Sequence, residues 1–277
     1  MSTPQRSQRT LIRPGSRSLG RQLSEAIQAR ELLWTLTQRD IKVRYKQTVL
    51  GCVWAVLQPA VSMVIFSIIF GHFVGLSGQG APYPLFSYSA LVVWTFFANS
   101  VSAGALSLVS SSSLVTKVYF PRMIVPLASV GVFLVDLAVA IAVFVPVLMF
   151  SGRPPRPEWL CLLPATAALL AYSAAIGAGL SALTVRYRDV RYALPFALQT
   201  VFYATPIVYA TASIPAEWRP LLYLNPVCGV IDVYRAALLG TPWDPSGCAV
   251  SLISAGLSGW LSLRYFNKVE RSFADIL

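Results

Sequence analysis

Charged side chains are scarce in this chain of 277 residues. They make up 12% of the sequence, whereas hydrophobic residues make up 56%, and the mean hydropathy is +0.62. About a quarter of the residues of an average soluble protein are charged. The composition therefore excludes an ordinary soluble domain and predicts an integral membrane protein.

Residues that support metal, nucleotide or nucleic-acid chemistry are also few. His72 is the only histidine, and Cys52, Cys161, Cys228 and Cys248 have no close spacing, so we expect neither a metal site nor a disulfide framework. No Gly-x-x-x-x-Gly-Lys-[Ser/Thr] phosphate loop occurs, and ATP-driven work would need a second polypeptide. The formal charge of +11 flanks apolar runs, which argues against nucleic acid as a partner. We predict no catalytic residue and no cofactor bound by this chain.

Six apolar runs approach the length of about 20 residues that a bilayer requires. They predict an all-α protein with six transmembrane helices, near residues 53–73, 85–108, 124–150, 160–185, 194–210 and 248–266. The fifth run is short and contains Pro195 and Pro206, so we expect a kinked or broken helix there. Residues 220–240 are too polar to span and too apolar for a free loop. We predict that they form a re-entrant or interfacial helical hairpin on the outer side.

The chain before the first span has two parts. Residues 1–22 carry five arginines among Ser, Gln, Pro and Gly, and predict a flexible basic tail. Residues 23–48 alternate apolar and basic side chains at roughly helical spacing, which indicates an amphipathic helix in the cytoplasmic membrane interface. A helix packed on the protein itself is the alternative. Residues 49–277 then form the six-span domain.

The distribution of lysine and arginine predicts the orientation. Six spans put both termini on one side, and that side holds 18 of the 22 basic residues, while the other holds Arg153, Arg156, Arg219 and Arg235. Basic residues favour the cytoplasmic side of a membrane. We therefore predict that both termini are cytoplasmic.

Asp136 is the one carboxylate deep inside a predicted span. A charge there is costly unless it is protonated, paired or facing water. Asp136 is therefore either a functional group or a protonated acid with a structural hydrogen bond, and the sequence shows no evident companion for it.

Aromatic residues are dense in the second and fifth predicted spans. Two roles are open for them: lining a path on which sugar rings stack, or packing against lipid and the protein core. The residues concerned are Trp94, Phe96, Phe97, Phe202 and Tyr203.

Several motifs, in their order and spacing over residues 23–277, resemble the membrane subunit of ABC-type polysaccharide exporters, the permeases of O-antigen, capsule and teichoic-acid systems. The motifs are Arg39-Asp40-Ile41-Lys42-Val43-Arg44-Tyr45-Lys46-Gln47-Thr48 with Leu50-Gly51, Trp54 and Pro59; Lys117-Val118-Tyr119-Phe120-Pro121-Arg122; Tyr187-Arg188-Asp189-Val190; Pro206-Ile207-Val208-Tyr209; and Leu224-Asn225-Pro226 with Tyr234-Arg235.

This resemblance implies a homodimer in the bacterial inner membrane that works with two copies of a separate ATPase, which uses ATP and magnesium. The dimer would move a polyprenyl-pyrophosphate-linked polysaccharide, foremost O-antigen, to the periplasm through a channel at its interface.

The resemblance also assigns roles to residues. Residues 23–46 become a gating helix, where Arg39, Lys42, Arg44 and Lys46 meet the pyrophosphate headgroup, although an orientation signal explains these charges equally well. Residues 116–122 become a loop that contacts the ATPase, with snorkelling helix ends as the alternative. Residues 220–240 become the outer gate. There, the side chains of Val227-Cys228-Gly229 are smaller than the bulky residues that the resemblance leads us to expect. The loop residues are Lys117, Tyr119, Phe120 and Arg122, and those of the gate are Asn225, Pro226, Asp232 and Arg235.

Two other functions fit parts of the sequence. An export permease for a small hydrophobic compound needs an apolar cavity and no continuous channel. A membrane-embedded transferase acting on lipid-linked sugar needs a clustered acid, base or metal set, and Asp136 and His72 belong to different spans.

Overall fold

A computed structural model of the chain describes residues 20, 24–25, 28–46, 51, 53–118, 120–270 and 273. Across these ranges the regular structure is helical, apart from an isolated bridge between Gly78 and Ala81. Almost all of the predicted tail, residues 1–22, lies outside the described residues, as does Tyr119. The flexible tail stays a prediction.

The helices are numbered here in chain order. They are α1 (Arg30–Lys46), α2 (Val53–Phe66) with a π-helical continuation (Ser67–Phe73), α3 (Tyr83–Ser110), α4 (Ser112–Lys117), α5 (Ile124–Gly131), α6 (Phe133–Phe150), α7 (Leu162–Arg186) preceded by a 3₁₀ turn (Pro157–Cys161), α8 (Val190–Ala204), α9 (Arg219–Tyr223), α10 (Pro226–Leu239) and α11 (Pro245–Val269).

Within the described ranges, five helical stretches are long and apolar enough to cross a membrane. They are Val53–Phe73, Tyr83–Ser110, Ile124–Phe150, Pro157–Arg186 and Pro245–Val269. Five of the six predicted spans are thereby confirmed as helices of sufficient length. The other, α8, has 15 residues and rises about 22 Å, less than the ~30 Å of a hydrocarbon core. It ends before Pro206, as the prolines predicted, and the count of six spans stays a prediction.

The helix termini gather at two ends of the bundle. At one end, an apolar cluster of Leu108, Val185 and Phe266 joins α3, α7 and α11. This end also carries exposed basic side chains, and we call it the basic end. At the opposite end, Arg153 donates hydrogen bonds to the carbonyl of Leu239 and, over 2.8 Å, to that of Gly80. The basic residues beside the apolar cluster are Lys117, Arg122, Arg186, Arg188 and Lys268.

The central helix is α3, and its main partner is α7. The two helices approach most closely at Gly104 and Gly177, where a Cβ atom added to Gly104 would lie 3.0 Å from the Gly177 Cα. Small residues of this kind let membrane helices pack backbone against backbone. In contrast, 6% of the apolar stretch of α2 is buried, compared with 61% of that of α3, and α8 buries only Leu194 fully.

The predicted N-terminal amphipathic helix corresponds to α1, and it packs alongside α5. Leu36 is buried against Ile124 and Ala128, and Thr37 lies beside Gly131. This is the contact that the alternative interpretation predicted, a helix packed on its own protein. A position in the membrane interface stays a prediction.

The predicted hairpin of residues 220–240 consists of α9 and α10, which meet at Asn225. The Asn225 side chain caps α10 by accepting a hydrogen bond from the Val227 backbone at 3.1 Å. Gly240 ends α10 in the left-handed region at φ 71°. The re-entrant character of this hairpin stays a prediction.

Candidate functional site

The four predicted headgroup-binding residues of α1 lie on two different faces. Arg39, Lys42 and Lys46 line an open groove along α1, while Arg44 points toward Asp136. Within the groove, Arg39 forms an ion pair of 2.7 Å with the adjacent Asp40. The groove therefore offers cations from one face of the helix, and Arg44 is not among them.

Asp136 has a partner that the sequence did not reveal. Its Oδ2 atom accepts a hydrogen bond of 2.8 Å from the Arg44 Nη2 atom, and its Oδ1 atom accepts one from the Tyr45 hydroxyl. The Arg44 guanidinium also lies 4.6 Å from the centroid of the Phe133 ring. The expectation of an acid without a companion is wrong, because the partner is 92 positions away along the chain.

Three of the five aromatic candidates are buried inside the single chain. Trp94, Phe96 and Phe97 belong to the apolar core of α3. The Trp94 and Phe202 ring centroids are 5.5 Å apart in an edge-to-face contact, whereas the Tyr203 side chain is 67% exposed. Within the single chain, the three α3 residues pack in the protein core, which is the second of the two roles left open by the sequence. Of the five aromatic candidates, Tyr203 is the one with an exposed side chain.

The outward face of α8 carries polar side chains that sequence reasoning missed. Gln199 and Thr200 are exposed one helical turn before the exposed Tyr203, in the part of the helix that follows Arg191 and Tyr192. The neighbouring helix α2 also exposes a polar residue, Gln58, and the Phe66 and Phe202 rings, 6.1 Å apart, connect the two helices. Polar residues at i and i+4 within the fifth apolar run were the signal available in the sequence.

Arg235, a predicted outer-gate residue, is buried with 1% exposure. It donates hydrogen bonds of 2.7 Å and 2.8 Å to the carbonyls of Pro206 and Ile207, in the non-helical segment after α8. Its guanidinium lies 3.6 Å from the centroid of the Phe86 ring, and Tyr83 donates to the Val208 carbonyl at 2.7 Å. The arginine thus satisfies backbone acceptors that the end of α8 leaves without helical partners.

The other predicted gate residues make separate contacts: Asp232 is buried, whereas Asn225 and Pro226 are half-buried. Asp232 accepts hydrogen bonds from the hydroxyls of Tyr223 at 2.6 Å and Thr211 at 3.1 Å. Burial raises the pKa of the Asp232 carboxyl, and these hydrogen bonds oppose that shift. Asn225 donates to the Thr205 hydroxyl at 2.8 Å, and Pro226 is the first residue of α10.

The small residues after Pro226 have a structural reason. A Cβ atom added to Gly229 would lie 2.7 Å from the Ser251 Cβ, so α10 and α11 pack too closely for a larger side chain. Val227 and Cys228 are fully buried. The departure from the bulkier family pattern is therefore compatible with close packing of α10 on α11.

The predicted ATPase-contact loop lies at the basic end. Lys117 is exposed, and Phe120 packs on the apolar cluster there. Arg122 instead contacts the chain's own C-terminal segment: it donates to the Glu270 carbonyl at 2.5 Å and lies 5.9 Å from the Phe273 ring centroid. Of the four predicted contact residues, Lys117 is the described one with an exposed side chain.

Among the residues that the structure describes, no three His, Cys, Asp or Glu side chains come close enough to hold a metal ion. Asp244 has a structural role at the start of α11. It caps α11 by accepting hydrogen bonds from the Ser246 backbone at 3.0 Å and the Ser246 hydroxyl at 2.6 Å. These hydrogen bonds, the hydroxyl's above all, hold the pKa of the Asp244 carboxyl below its usual value.

Comparison with known proteins agrees with this architecture. The ABC-2 type transporter family matches residues 31–239. The chain is 28% identical over 248 residues, 89% of its length and 95% of the relative's, to the O-antigen export system permease protein RfbA of Klebsiella pneumoniae. It is 30% identical to the protein of the same name from Myxococcus xanthus, over 78% of this chain and 83% of the relative.

A more distant relative is the polysialic acid transport protein KpsM of Escherichia coli. It is 21% identical over 206 residues, 73% of this chain and 78% of the relative. The family match spans three quarters of the chain, including α1, the Arg44–Asp136 pair and the Arg235 network. The chain therefore belongs to the ABC-2 type transporter family and is a multi-pass membrane protein.

Proposed function

We propose that this chain is the permease subunit of an ATP-driven exporter that moves a polyprenyl-pyrophosphate-linked polysaccharide, foremost O-antigen, out of the cytoplasm. The names of its relatives support the substrate class. The structural observation that carries the proposal is the exposure of three polar side chains, Gln199, Thr200 and Tyr203, on the outward surface of α8. Amide and hydroxyl groups are costly against hydrocarbon, so this face is suited to a hydrated passage.

The proposed topology has six crossings, with both termini on the cytoplasmic side of the inner membrane. Support comes from the path of the chain after α7. Helix α8 begins at Val190, close to the basic end. The Val208 carbonyl, a few residues after α8, accepts a hydrogen bond from Tyr83. Tyr83 is the first residue of α3 and lies at the opposite end of the bundle. Helix α8 and the segment after it thus run the length of the bundle, and Arg235 satisfies the non-helical carbonyls, as apolar surroundings require.

The passage is proposed to lie at the interface of a homodimer. Helices α2 and α8 are neighbours, and both leave most of their surface uncovered by the rest of the chain. A second copy would cover these faces and enclose Gln58, Gln199 and Tyr203 between the protomers. On the outer side, α9 and α10 form the re-entrant gate of this proposal, held by Arg235.

Energy is proposed to come from two copies of a separate ATPase, which uses ATP and magnesium. Its docking site is the basic end, where Lys117 is exposed. The pyrophosphate headgroup of the substrate would bind in the groove of Arg39, Lys42 and Lys46 on α1. Guanidinium and ammonium groups bind phosphate through charge-assisted hydrogen bonds.

The test is polysaccharide export in cells that lack the chromosomal gene and carry a plasmid copy. Changing Gln199 and Tyr203 together to leucine should reduce polymer at the cell surface and leave it in the cytoplasm. The matched control is Ile253→Ala, a residue of α11 that is 71% exposed and that we expect to face lipid. Complex assembly and ATP hydrolysis should be unchanged in both variants. Wild-type export by the double variant would contradict the proposed passage.

Export of a small hydrophobic compound is a second candidate, because the chain contains an apolar cavity. The cavity has a volume of about 270 Å³ and lies between α7, α10 and α11, lined by Leu169, Tyr172, Val230 and Leu252 among others. Widening it by Leu252→Ala, or filling it by Ala168→Phe, should change export of such a compound and leave polysaccharide export intact. Unchanged export of the compound in both variants would exclude the cavity as its route.

A further inference from the structure

One ion pair connects α1 to the third apolar span, and the proposed function leaves it unused. The two oxygen atoms of Asp136 are bound by successive residues of α1: Arg44 binds Oδ2 at 2.8 Å, and the Tyr45 hydroxyl donates to Oδ1. The Asp136 side chain is 12% exposed. A carboxylate so enclosed within an apolar span is stable only with such partners.

This arrangement fixes the rotation of α1 about its own axis. Successive helical residues point about 100° apart, so a single carboxylate can bind both Arg44 and Tyr45 in only one narrow range of rotation. A second fixed point lies eight residues earlier, about 12 Å along the axis, where Leu36 is buried against Ile124 and Ala128. Two contacts at this separation also set the direction of the helix.

With α1 so fixed, its remaining cations share one surface. Arg39, Lys42 and Lys46 line the groove, and Arg39 is already paired with Asp40. In the described part of the chain, Lys42 and Lys46 have no acidic side chain within ion-pair distance. The pair with Asp136 removes the charge of Arg44 from the groove and leaves the two lysines turned toward it.

We propose that Asp136 is a positioning residue for the headgroup site: through Arg44 and Tyr45 it holds α1 at the rotation that presents Lys42 and Lys46 to a phosphate group. This inference rests on the proposed function, because the phosphate belongs to the exported lipid-linked polymer. Asp136 itself contacts no substrate. Its removal should therefore act by turning α1, and only through that on binding.

Cross-linking measures the position of α1 independently of transport. Thr37 lies beside Gly131, where an added Cβ atom would be 3.3 Å from the Thr37 Cγ2 atom. We would replace both with cysteine in a chain whose native cysteines are changed to alanine, and oxidise membranes that contain the full transporter complex. Asp136→Asn should lower the disulfide yield about fivefold or more, and exchanging the charges by Arg44→Asp with Asp136→Arg should restore most of it.

Substrate binding is measured separately on the purified complex. The probe is a polyprenyl pyrophosphate without sugars, and the readout is the stimulation of ATP hydrolysis. Asp136→Asn should raise the concentration for half-maximal stimulation about tenfold, with little change at saturation, and Asp136→Glu should raise it less. Lys42→Gln, the matched control, should raise it too but leave the disulfide yield unchanged.

Equal disulfide yields in the wild type and in Asp136→Asn would overturn the proposal. A charge exchange that fails to restore the yield, in protein that reaches wild-type levels in the membrane, would also overturn it. If Asp136→Asn does not accumulate in the membrane, the same measurement is made with Asp136→Glu and Arg44→Lys. We expect a partial loss of disulfide yield in both variants. A wild-type disulfide yield in both would overturn the proposal. If the wild-type complex exports no polysaccharide, the proposed function fails, while the disulfide yield still decides the positioning of α1.

Discussion

Arg235→Met is the substitution that tests the buried network most severely. Methionine fills much of the volume of the arginine side chain but donates no hydrogen bond. The change would leave the carbonyls of Pro206 and Ile207 without the donors that lie 2.7 Å and 2.8 Å from them. It would also remove the guanidinium from the Phe86 ring.

The expected loss of stability follows from these contacts. A buried acceptor left without a donor costs about 1–3 kcal/mol, so the two carbonyls together give roughly 2–6 kcal/mol. For a chain of this size, 1 kcal/mol corresponds to a shift in melting temperature of about 2–4 °C. The variant should therefore melt roughly 4–24 °C below the wild type.

The assay is thermal unfolding of the purified protein in detergent, followed by tryptophan fluorescence. Arg235→Lys keeps the charge but lacks the planar fork of donors. Its melting temperature should lie between those of the wild type and Arg235→Met. Arg188→Met is the matched control, because Arg188 is exposed at the basic end, and surface changes usually stay within about 0.5 kcal/mol. If Arg235→Met had the same melting temperature as the control Arg188→Met, the stabilising role given to the Arg235 hydrogen bonds would be refuted.

Three further predictions concern single positions. Gly104→Ala should destabilise the protein by about 1–3 kcal/mol through the close approach of α7, whereas Gly256→Ala, at a position with open space, should not lower the melting temperature. Asp244→Ala should cost about 1 kcal/mol at pH 7 through loss of the α11 cap. That difference should shrink as the pH falls below the usual aspartate pKa and through the lowered pKa of Asp244, because a lowered pKa stabilises only while the carboxyl is ionised. Lys117→Glu should release the ATPase in co-purification at an unchanged melting temperature, while Arg122→Glu, which breaks the contact with the Glu270 carbonyl, should lower the melting temperature.

The sequence predicted the framework of the fold because apolar length is a local property. The five long apolar stretches of the structure correspond to predicted runs with ends that differ by a few residues. Prolines predicted the end of α8 in the same way. The partnership of Asp136 with Arg44 was out of reach, since it joins positions 92 residues apart and no short-range pattern records it.

Burial within a membrane helix was harder to predict than its existence. The polar and apolar side chains of α3 are not separated onto different faces, so periodicity gave no sign that Trp94 and Phe97 would face the core while Tyr203 on α8 would not. Arg235 was counted among the outer charges because its acceptors are backbone carbonyls. Those acceptors arise from the break at Pro206, and only the folded chain brings the two together.

The most direct test of the whole account is transport by the purified chain together with its ATPase in proteoliposomes. Lipid-linked polysaccharide is added on the ATPase side, and its protection from an added glycosidase is followed with time. We predict protection that requires ATP, magnesium and both polypeptides, and that Gln199→Leu with Tyr203→Leu reduces it. Protection by the permease alone, or no protection with all components present, would contradict the account.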